Sequence, residues 1–409
     1  MGGLTQLIAV GYQDVYLTGD AKNTYWKKAY KKYTNFALES IEQSIVGQVD
    51  YGSNDVTITL SKSGDLINSV ALQITLQRGD ADLSLPQPYF PAEHFIDYVE
   101  VYVGGQKVFE FDHQWFRMYW ELYLTYDQKI AYNAMCDFQT EVEGYERTFY
   151  LPLPLWFNSF SNGNALPLVA LQYHDVQIKL RLTQSQYIVG INQSFTPKMR
   201  CYADYVFLDS VERKSFAQTP HKYIIQQIQR NLSPAQVSST NNNYTITLPF
   251  NHPVQCLMWA LIPNMTTHGQ YTGLPGEQNA EVLAPIAEAK ISFNGIDRFT
   301  TRQGRYFQSY QPWYSAKGQW MTSGVYLYSF GTNIRYGVPS GTMNFSRIDT
   351  ALLHITTKAA VVADTTTPAV VTELMTTTTA NALTTLLTYA VNFNVLRVDS
   401  GMGGIEFAN

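Results

Sequence analysis

Charge is scarce in this chain. Asp, Glu, Lys and Arg together make up 15% of its 409 residues, and 28 basic against 33 acidic groups leave a net charge of −5. A dedicated nucleic-acid binder would carry a basic surface, so this balance argues against that class. Cysteine is scarcer still: Cys136, Cys201 and Cys256 are odd in number, far apart and without metal-ligand spacing. A disulfide framework and a zinc site are thereby disfavoured, and the three read as small buried hydrophobes in a reducing compartment. No apolar run reaches the roughly 18 residues that a membrane-spanning helix needs. The first residues, MGGLTQLIAVGYQDVYLTGD, lack the charged start and long apolar centre of a secretory signal, so synthesis in the cytosol is expected. Gly2 loosely follows an acylation signal, but Gln6 stands where Ser or Thr is preferred.

Catalytic patterns are missing as well. His94, His113, His174, His221, His252, His268 and His354 are scattered and form neither HExxH nor another zinc-like pair. Asp112 beside His113 in FDHQW could form an orienting pair, yet no nucleophile motif such as GxSxG accompanies it. GMGG at 401–404 follows a strand without opening a helix, lacks any nucleotide-loop context, and reads as a flexible tail. The sequons at Asn192, Asn231, Asn243, Asn264 and Asn344 would matter only in a secreted chain, so they are expected to stay unmodified. The chain is expected to be no enzyme and to need no cofactor.

What is abundant is aromatic and apolar: 29 tyrosines, 14% aromatic and 45% hydrophobic residues, a composition suited to β-structure and large contact surfaces. The length suggests two domains, and the chain repeats itself. VTITLSKSGDLINSVALQI from Val56 aligns with YTITLPFNHPVQCLMWALI from Tyr244, without a gap, at an offset of 188. VEVYVGGQKVFEFDHQWFRMYW from Val99 matches AKISFNGIDRFTTRQGRYFQSY from Ala289 at an offset of 190. In each, alternating apolar residues lead into Gly104-Gly105 or Asn294-Gly295, dipeptides that tolerate the positive φ angles of a type I′ turn, so both segments are hairpins. YHDVQIKL from Tyr173 pairs with RIDTALLH from Arg347, and YADYVFLDS from Tyr202 with YAVNFNVLRVDS from Tyr389.

Four blocks in one order mean one β-rich unit used twice. Each unit holds about eight short strands, a β-sandwich pattern for which size and strand count favour the jelly roll. The expected fold is therefore all-β: two tandem eight-stranded antiparallel jelly rolls with a short N-terminal arm. The expected limits are 1–35 for the arm, 36–215 for the first roll and 216–409 for the second. The boundary falls in SVERKSFAQTPHKYIIQQIQ, where a polar link precedes a possible helical turn. The Thr-rich tract 356–385 is expected to be an exposed loop between the last two strands.

Basic character is confined to the first 33 residues, where five lysines against Asp14 and Asp20 give a net +3 and leave −8 for the rest. In YWKKAYKKY, Trp26, Tyr30 and Tyr33 recur at helical spacing, which favours packing for the aromatics. For Lys27, Lys28, Lys31 and Lys32 the stretch alone leaves open a single-strand nucleic-acid grip, a membrane-facing helix, an anchor for something larger or a solvated face. Arg302 and Arg305 in RQGRYF read as residues of a subunit contact rather than a phosphate grip, because the basic patch is only two residues wide.

Five stretches in order, GGLTQLIAVGYQDVYLTGD, YKKYTNFALESIEQSIVG, LPLPLWFNSFSNGNALPLVALQYHDVQIKL, PSGTMNFSRID and YAVNFNVLRVDSGMGGIEFAN, resemble the major capsid protein of nucleocytoplasmic large DNA viruses, the group that includes phycodnaviruses and iridoviruses. The resemblance runs from Gly2 to Asn409. It implies a double jelly-roll protein that trimerises into pseudo-hexagonal capsomers, made and assembled in the host cytoplasm and tiling an icosahedral shell around an inner membrane and a double-stranded DNA genome. It implies as partners neighbouring capsomers, minor capsid and penton proteins and that membrane, with no sequence-specific contact to nucleic acid. Lys27, Lys28, Lys31 and Lys32 would then face inward, toward acidic minor proteins or anionic lipid. The competing reading is an intracellular carbohydrate-binding β-sandwich, which predicts a cleft with paired carboxylates or a glycan-dependent melting shift.

Overall fold

Turn chemistry sets the local frame. At the first predicted hairpin Gly104 and Gly105 have φ of 58° and 82°, and at the second Asn294 and Gly295 have 49° and 80°, the left-handed pair that a type I′ turn requires. The computed structural model describes residues 2–18, 20, 32–79, 90–137, 143–158, 164–188, 190–236, 243–263, 286–318, 321, 324–335, 339–357 and 383–407. By contacts the chain divides into residues 1–36 and residues 37–409. Within the first, a helix Gly2–Ile8 is followed by a 3-10 turn Tyr12–Asp14, closed by the Gly11 amide donating to Asp14 Oδ2 at 2.6 Å, and a short helix Val15–Thr18.

The larger unit opens with β1 (Phe36–Gln43), β2 (Ile45–Val46), β3 (Val56–Leu60), β4 (Leu66–Gln77), β5 (Ile96–Val103), β6 (Gln106–Asp112), β7 (Glu146–Pro152), β8 (Leu166–Pro167), β9 (Val176–Leu182) and β10 (Lys198–Leu208). They form two sheets, β1-β10-β4-β7 and β2-β3-β9-β5-β6. The same plan returns in β11 (His221–Gln236), β12 (Asn243–Thr247), β13 (Pro253–Pro263), β14 (Ile286–Phe293), β15 (Ile296–Asp297), β16 (Arg302–Gln303), β17 (Val325–Ser329), β18 (Met343–Asn344), β19 (Ala351–Thr357), β20 (Leu383–Asp399) and β21 (Met402–Ile405). Here the sheets run β11-β20-β13-β17 and β12-β19-β14-β15. Both halves are Greek-key sandwiches of jelly-roll order, so the fold is a double jelly roll.

The halves share their irregularities too. Asn68 in β4 and Gln255 in β13 are each skipped by the partner strand's register, as are Asp97 in β5 and Ala287 in β14. The first pair is 187 residues apart, not the 188 of the gapless alignment, because the path from Thr247 in β12 to Gln255 in β13 is one residue shorter than that from Thr59 in β3 to Asn68 in β4. In a strand such a slip exchanges faces. Val70 and Leu72 therefore correspond to Leu257 and Trp259, which fill the interiors, while Ser69, Ala71 and Gln73 correspond to Cys256, Met258 and Ala260.

Two further expectations are corrected. SVERKSFAQ is a helix, Ser210–Gln218, and the following HKYIIQQIQ is not helical: it lies in β11, held by sixteen consecutive pairings to β20, a ladder that overrides its local pattern. GMGG is no flexible tail: Gly401 sits in a turn and Met402–Ile405 form β21, paired antiparallel with β20 from Leu396↔Ile405 to Asp399↔Met402. Its glycines admit a close approach, since a Cβ on Gly403 would stand 2.6 Å from Leu171 and 3.0 Å from Val103 of the first roll. The Thr-rich tract is flanked by β19 and β20, with 358–382 outside the described residues. All three cysteines are buried free thiols.

On the outer face of the second roll His354 links three strands, with Nδ1 3.0 Å from the Thr245 hydroxyl and Nε2 2.9 Å from that of Ser292. Burial, then neighbouring Lys290, hold its imidazole below the ordinary value of 6.5. A depressed imidazole value means the unfolded chain takes up the proton first, so stability is intact above about 6.5 and declines as pH falls through the folded value. In thermal melts from about pH 7 to 5.5, the wild-type Tm is expected to fall more than that of a His354→Gln variant.

Candidate assembly surfaces

Sheet β11-β20-β13-β17 buries apolar residues on both faces. Leu257, Trp259, Leu261, Tyr326 and Ala390 join the core of the second roll, while Cys256, Met258, Ala260, Leu387 and Tyr389 join the core that fills the first. That is why CLMWALI is a continuous apolar run, whereas SVALQITLQ of the equivalent β4 alternates buried with half-buried residues. At about 25 cal/mol per Å² of apolar surface removed from water, this shared face is what joins the rolls.

The first roll meets it with a helix, His113–Tyr123. Arg117 fixes that helix to its own roll: it is bidentate to the fully buried Glu93, with Nε to Oε2 at 2.7 Å, and its guanidinium lies 3.5 Å from the Phe90 ring centre. The aromatic stripe Trp115, Tyr119, Tyr123 turns toward the second roll. Trp115 packs edge-on against Tyr389 at 5.3 Å, and the Tyr123 hydroxyl donates to Gln226 Oε1 at 3.4 Å. A pocket of about 340 Å³ lies between them, lined by Trp115, Tyr119, Tyr123, Trp156, Ile224 and Ile228 among others.

Asp112, at the start of that helix, is only 3% exposed. The Tyr389 hydroxyl donates to its Oδ1, and Arg230 Nε lies 3.0 Å from its Oδ2. Burial pushes the carboxyl up from its ordinary value, against the pull of Arg230 and the Tyr389 hydroxyl. Asp112 therefore does not orient a catalytic histidine; it clamps roll to roll. The C-terminal strand adds a second fastening, with the Tyr173 amide donating to Gly401 O at 3.0 Å and the Ile405 amide to Gln106 Oε1 at 3.1 Å.

Of the predicted contact residues, Lys32 is exposed, and Lys27, Lys28 and Lys31 lie outside the described residues. Arg302 is half-buried with its guanidinium 4.2 Å from the Tyr306 ring centre and 5.6 Å from that of Phe299, and Arg305 is exposed. Sequence reasoning missed what stands beside them: Tyr310, Trp313 and Tyr314, 53%, 62% and 60% exposed. Arg, Trp and Tyr grouped at one place are the residue types that dominate binding at protein interfaces. The N-terminal segment also exposes Leu4, Leu7, Ile8, Val10, Tyr12, Tyr16 and Leu17. Among the described residues no group of His, Cys, Asp or Glu could hold a metal ion, and no helix is long and apolar enough to cross a membrane.

Comparison with known proteins agrees with this architecture. A family model described as the major capsid protein N-terminus matches residues 24–209, and one described as the large eukaryotic DNA virus major capsid protein matches 212–404. The chain is similar to the major capsid protein of Paramecium bursaria Chlorella virus 1, with 42% identity over 445 aligned positions covering all of both chains. It is similar to that of Pyramimonas orientalis virus at 34%, again over both full lengths. A quasi-atomic model of the PBCV-1 virus capsid superposes with a TM-score of 0.82 and 40% identity, covering 94% of this chain and 100% of that one. The Faustovirus major capsid protein, 11% identical, shares the fold at a TM-score of 0.73 over 95% of this chain and 94% of that one.

Removing the Tyr389 hydroxyl leaves a buried carboxylate oxygen short of a donor. Tyr389→Phe is expected to cost about 1–3 kcal/mol in urea unfolding.

Proposed function

Because the chain belongs to the family of large eukaryotic DNA virus major capsid proteins, structural components of the virion and not enzymes, we propose that three copies close into a pseudo-hexagonal capsomer. The observation that carries this reading is the duplication down to its bulges: two rolls of one topology, fused by a sheet buried on both faces, give one chain two nearly equivalent positions around an axis. Three chains supply six while keeping closed threefold symmetry. The arm, 1–35, faces the interior of an icosahedral shell, the rolls 36–215 and 216–409 form its wall, and assembly proceeds in the host cytoplasm around a membrane and a double-stranded DNA genome. Neighbouring capsomers, minor capsid proteins and penton proteins are the further partners. Arg302 and Arg305 belong to a subunit contact. The carbohydrate-binding alternative gives way because the relatives are major capsid proteins.

Light scattering on a sizing column tests the capsomer: a particle of three times 46.4 kDa, about 139 kDa and stable in high salt, is expected. A well-folded monomer at assembly concentration would exclude it. For the arm, each lysine near an anionic surface contributes about 1 kcal/mol. Replacing Lys27, Lys28, Lys31 and Lys32 by Gln is expected to weaken sedimentation with anionic vesicles by about a hundredfold or more at low salt. Equal binding of both forms would assign the lysines to solvent.

A further inference from the structure

Among the described residues the duplication leaves one contact made once and one surface open. Strand pairing sets the correspondence: Asp112 stands opposite Tyr98 on β5, and Gln303 opposite Glu288 on β14, so the helical segments that follow match at an offset of 191. Trp115, Tyr119 and Tyr123 of the first roll thereby correspond to Tyr306, Tyr310 and Tyr314 of the second, the same three-aromatic stripe at the same spacing. Phe116 and Phe307, both buried, match likewise. In the first roll the stripe packs against sheet β11-β20-β13-β17 of the second. In the second roll Tyr310 and Tyr314 are exposed.

The receiving face has its counterpart as well. Tyr202 sits opposite Ala71 as Tyr389 sits opposite Met258, so the outer face of sheet β1-β10-β4-β7 repeats the covered face of β11-β20-β13-β17. Its chemistry differs in one respect. Cys256, Met258, Ala260, Leu387 and Val391 of the covered face are replaced by Ser69, Ala71, Gln73, Arg200 and Asp204, while Tyr389 is matched by Tyr202. A face covered while its own chain folds can be apolar throughout, but a face that waits in water for a partner needs polar groups around its aromatic anchors.

We propose that the Tyr306, Tyr310, Tyr314 stripe of one copy docks on the outer face of sheet β1-β10-β4-β7 of a second copy, with Tyr306 meeting Tyr202 as Trp115 meets Tyr389 within one chain. The contact is head-to-tail, so it propagates from copy to copy and closes when the rotation per chain is a third of a turn. Arg302, stacked on Tyr306, lies at the edge of the contact, which gives it a role at the interface through the ring it holds. This inference rests on the capsomer reading and names the surfaces that build it.

The test uses the full chain. Tyr310→Glu/Tyr314→Glu places two charges on exposed positions and is expected to leave the melting curve unchanged while light scattering shows a shift from trimer to monomer. A trimeric wild type whose double variant also stays trimeric would overturn this inference and leave the capsomer reading intact; a monomeric wild type would overturn both. Should the double variant not fold, a photoreactive benzoylphenylalanine at position 310 of the otherwise unaltered chain decides. Cross-links to peptides of β4 or β10 in another chain support the proposal, and cross-links to any other segment, or none, overturn it.

Discussion

A sheet buried on both faces governs this molecule. β11-β20-β13-β17 is half of the second sandwich, and its other face completes the core of the first roll, so neither roll can turn against the other without exposing that surface to water. Apolar packing of this kind has no directional preference of its own. Direction comes from the polar clamps set into its edge, above all the buried Asp112 held by the Tyr389 hydroxyl and Arg230. An unpaired carboxylate there would be costly, so the clamp admits few relative placements of the rolls.

The same constraint explains how one fold used twice yields two different surfaces. The rolls agree in strand order, in hairpin turns and in the position of two bulges, yet one sheet is sealed and its counterpart is open. The sealed sheet carries Cys256, Met258 and Ala260 where the open one carries Ser69, Ala71 and Gln73, and Leu387 and Val391 where the open one carries Arg200 and Asp204. A shell protein must be soluble before it assembles and cohesive afterwards. Aromatic anchors in a polar surround satisfy both requirements, because they add contact area at low entropic cost without forming a continuous apolar patch.

Much of this was readable in the chain. Gly104-Gly105 and Asn294-Gly295 announced hairpins because the positive φ of a type I′ turn leaves few alternatives. The TITL echo announced duplication, and the scarcity of charge with an abundance of tyrosine announced a protein of large contacts. Three features turn on a single residue or on distant context. One residue fewer from Thr247 to Gln255 than from Thr59 to Asn68 exchanged the faces of a whole strand. GMGG looked like slack chain because a glycine that permits close approach and a glycine that permits motion are the same letter. HKYIIQQIQ lay in a strand because sixteen pairings to β20 outweigh a local pattern.

The sequence by itself determined that there are two rolls, where their turns lie and to which family the chain belongs, because those properties reside in local periodicity, turn chemistry and similarity along the chain. Only the tertiary structure decided which face of each duplicate is covered. Residues such as Tyr202 and Tyr389, or Tyr119 and Tyr310, are alike in type and setting, and what separates them is burial against segments far away in the chain. The stripe beside Arg302 was invisible for that reason: its aromatics carry the pattern of core residues, and only their exposure among the described residues, with Tyr310 and Tyr314 more than half open, turns them into a candidate contact.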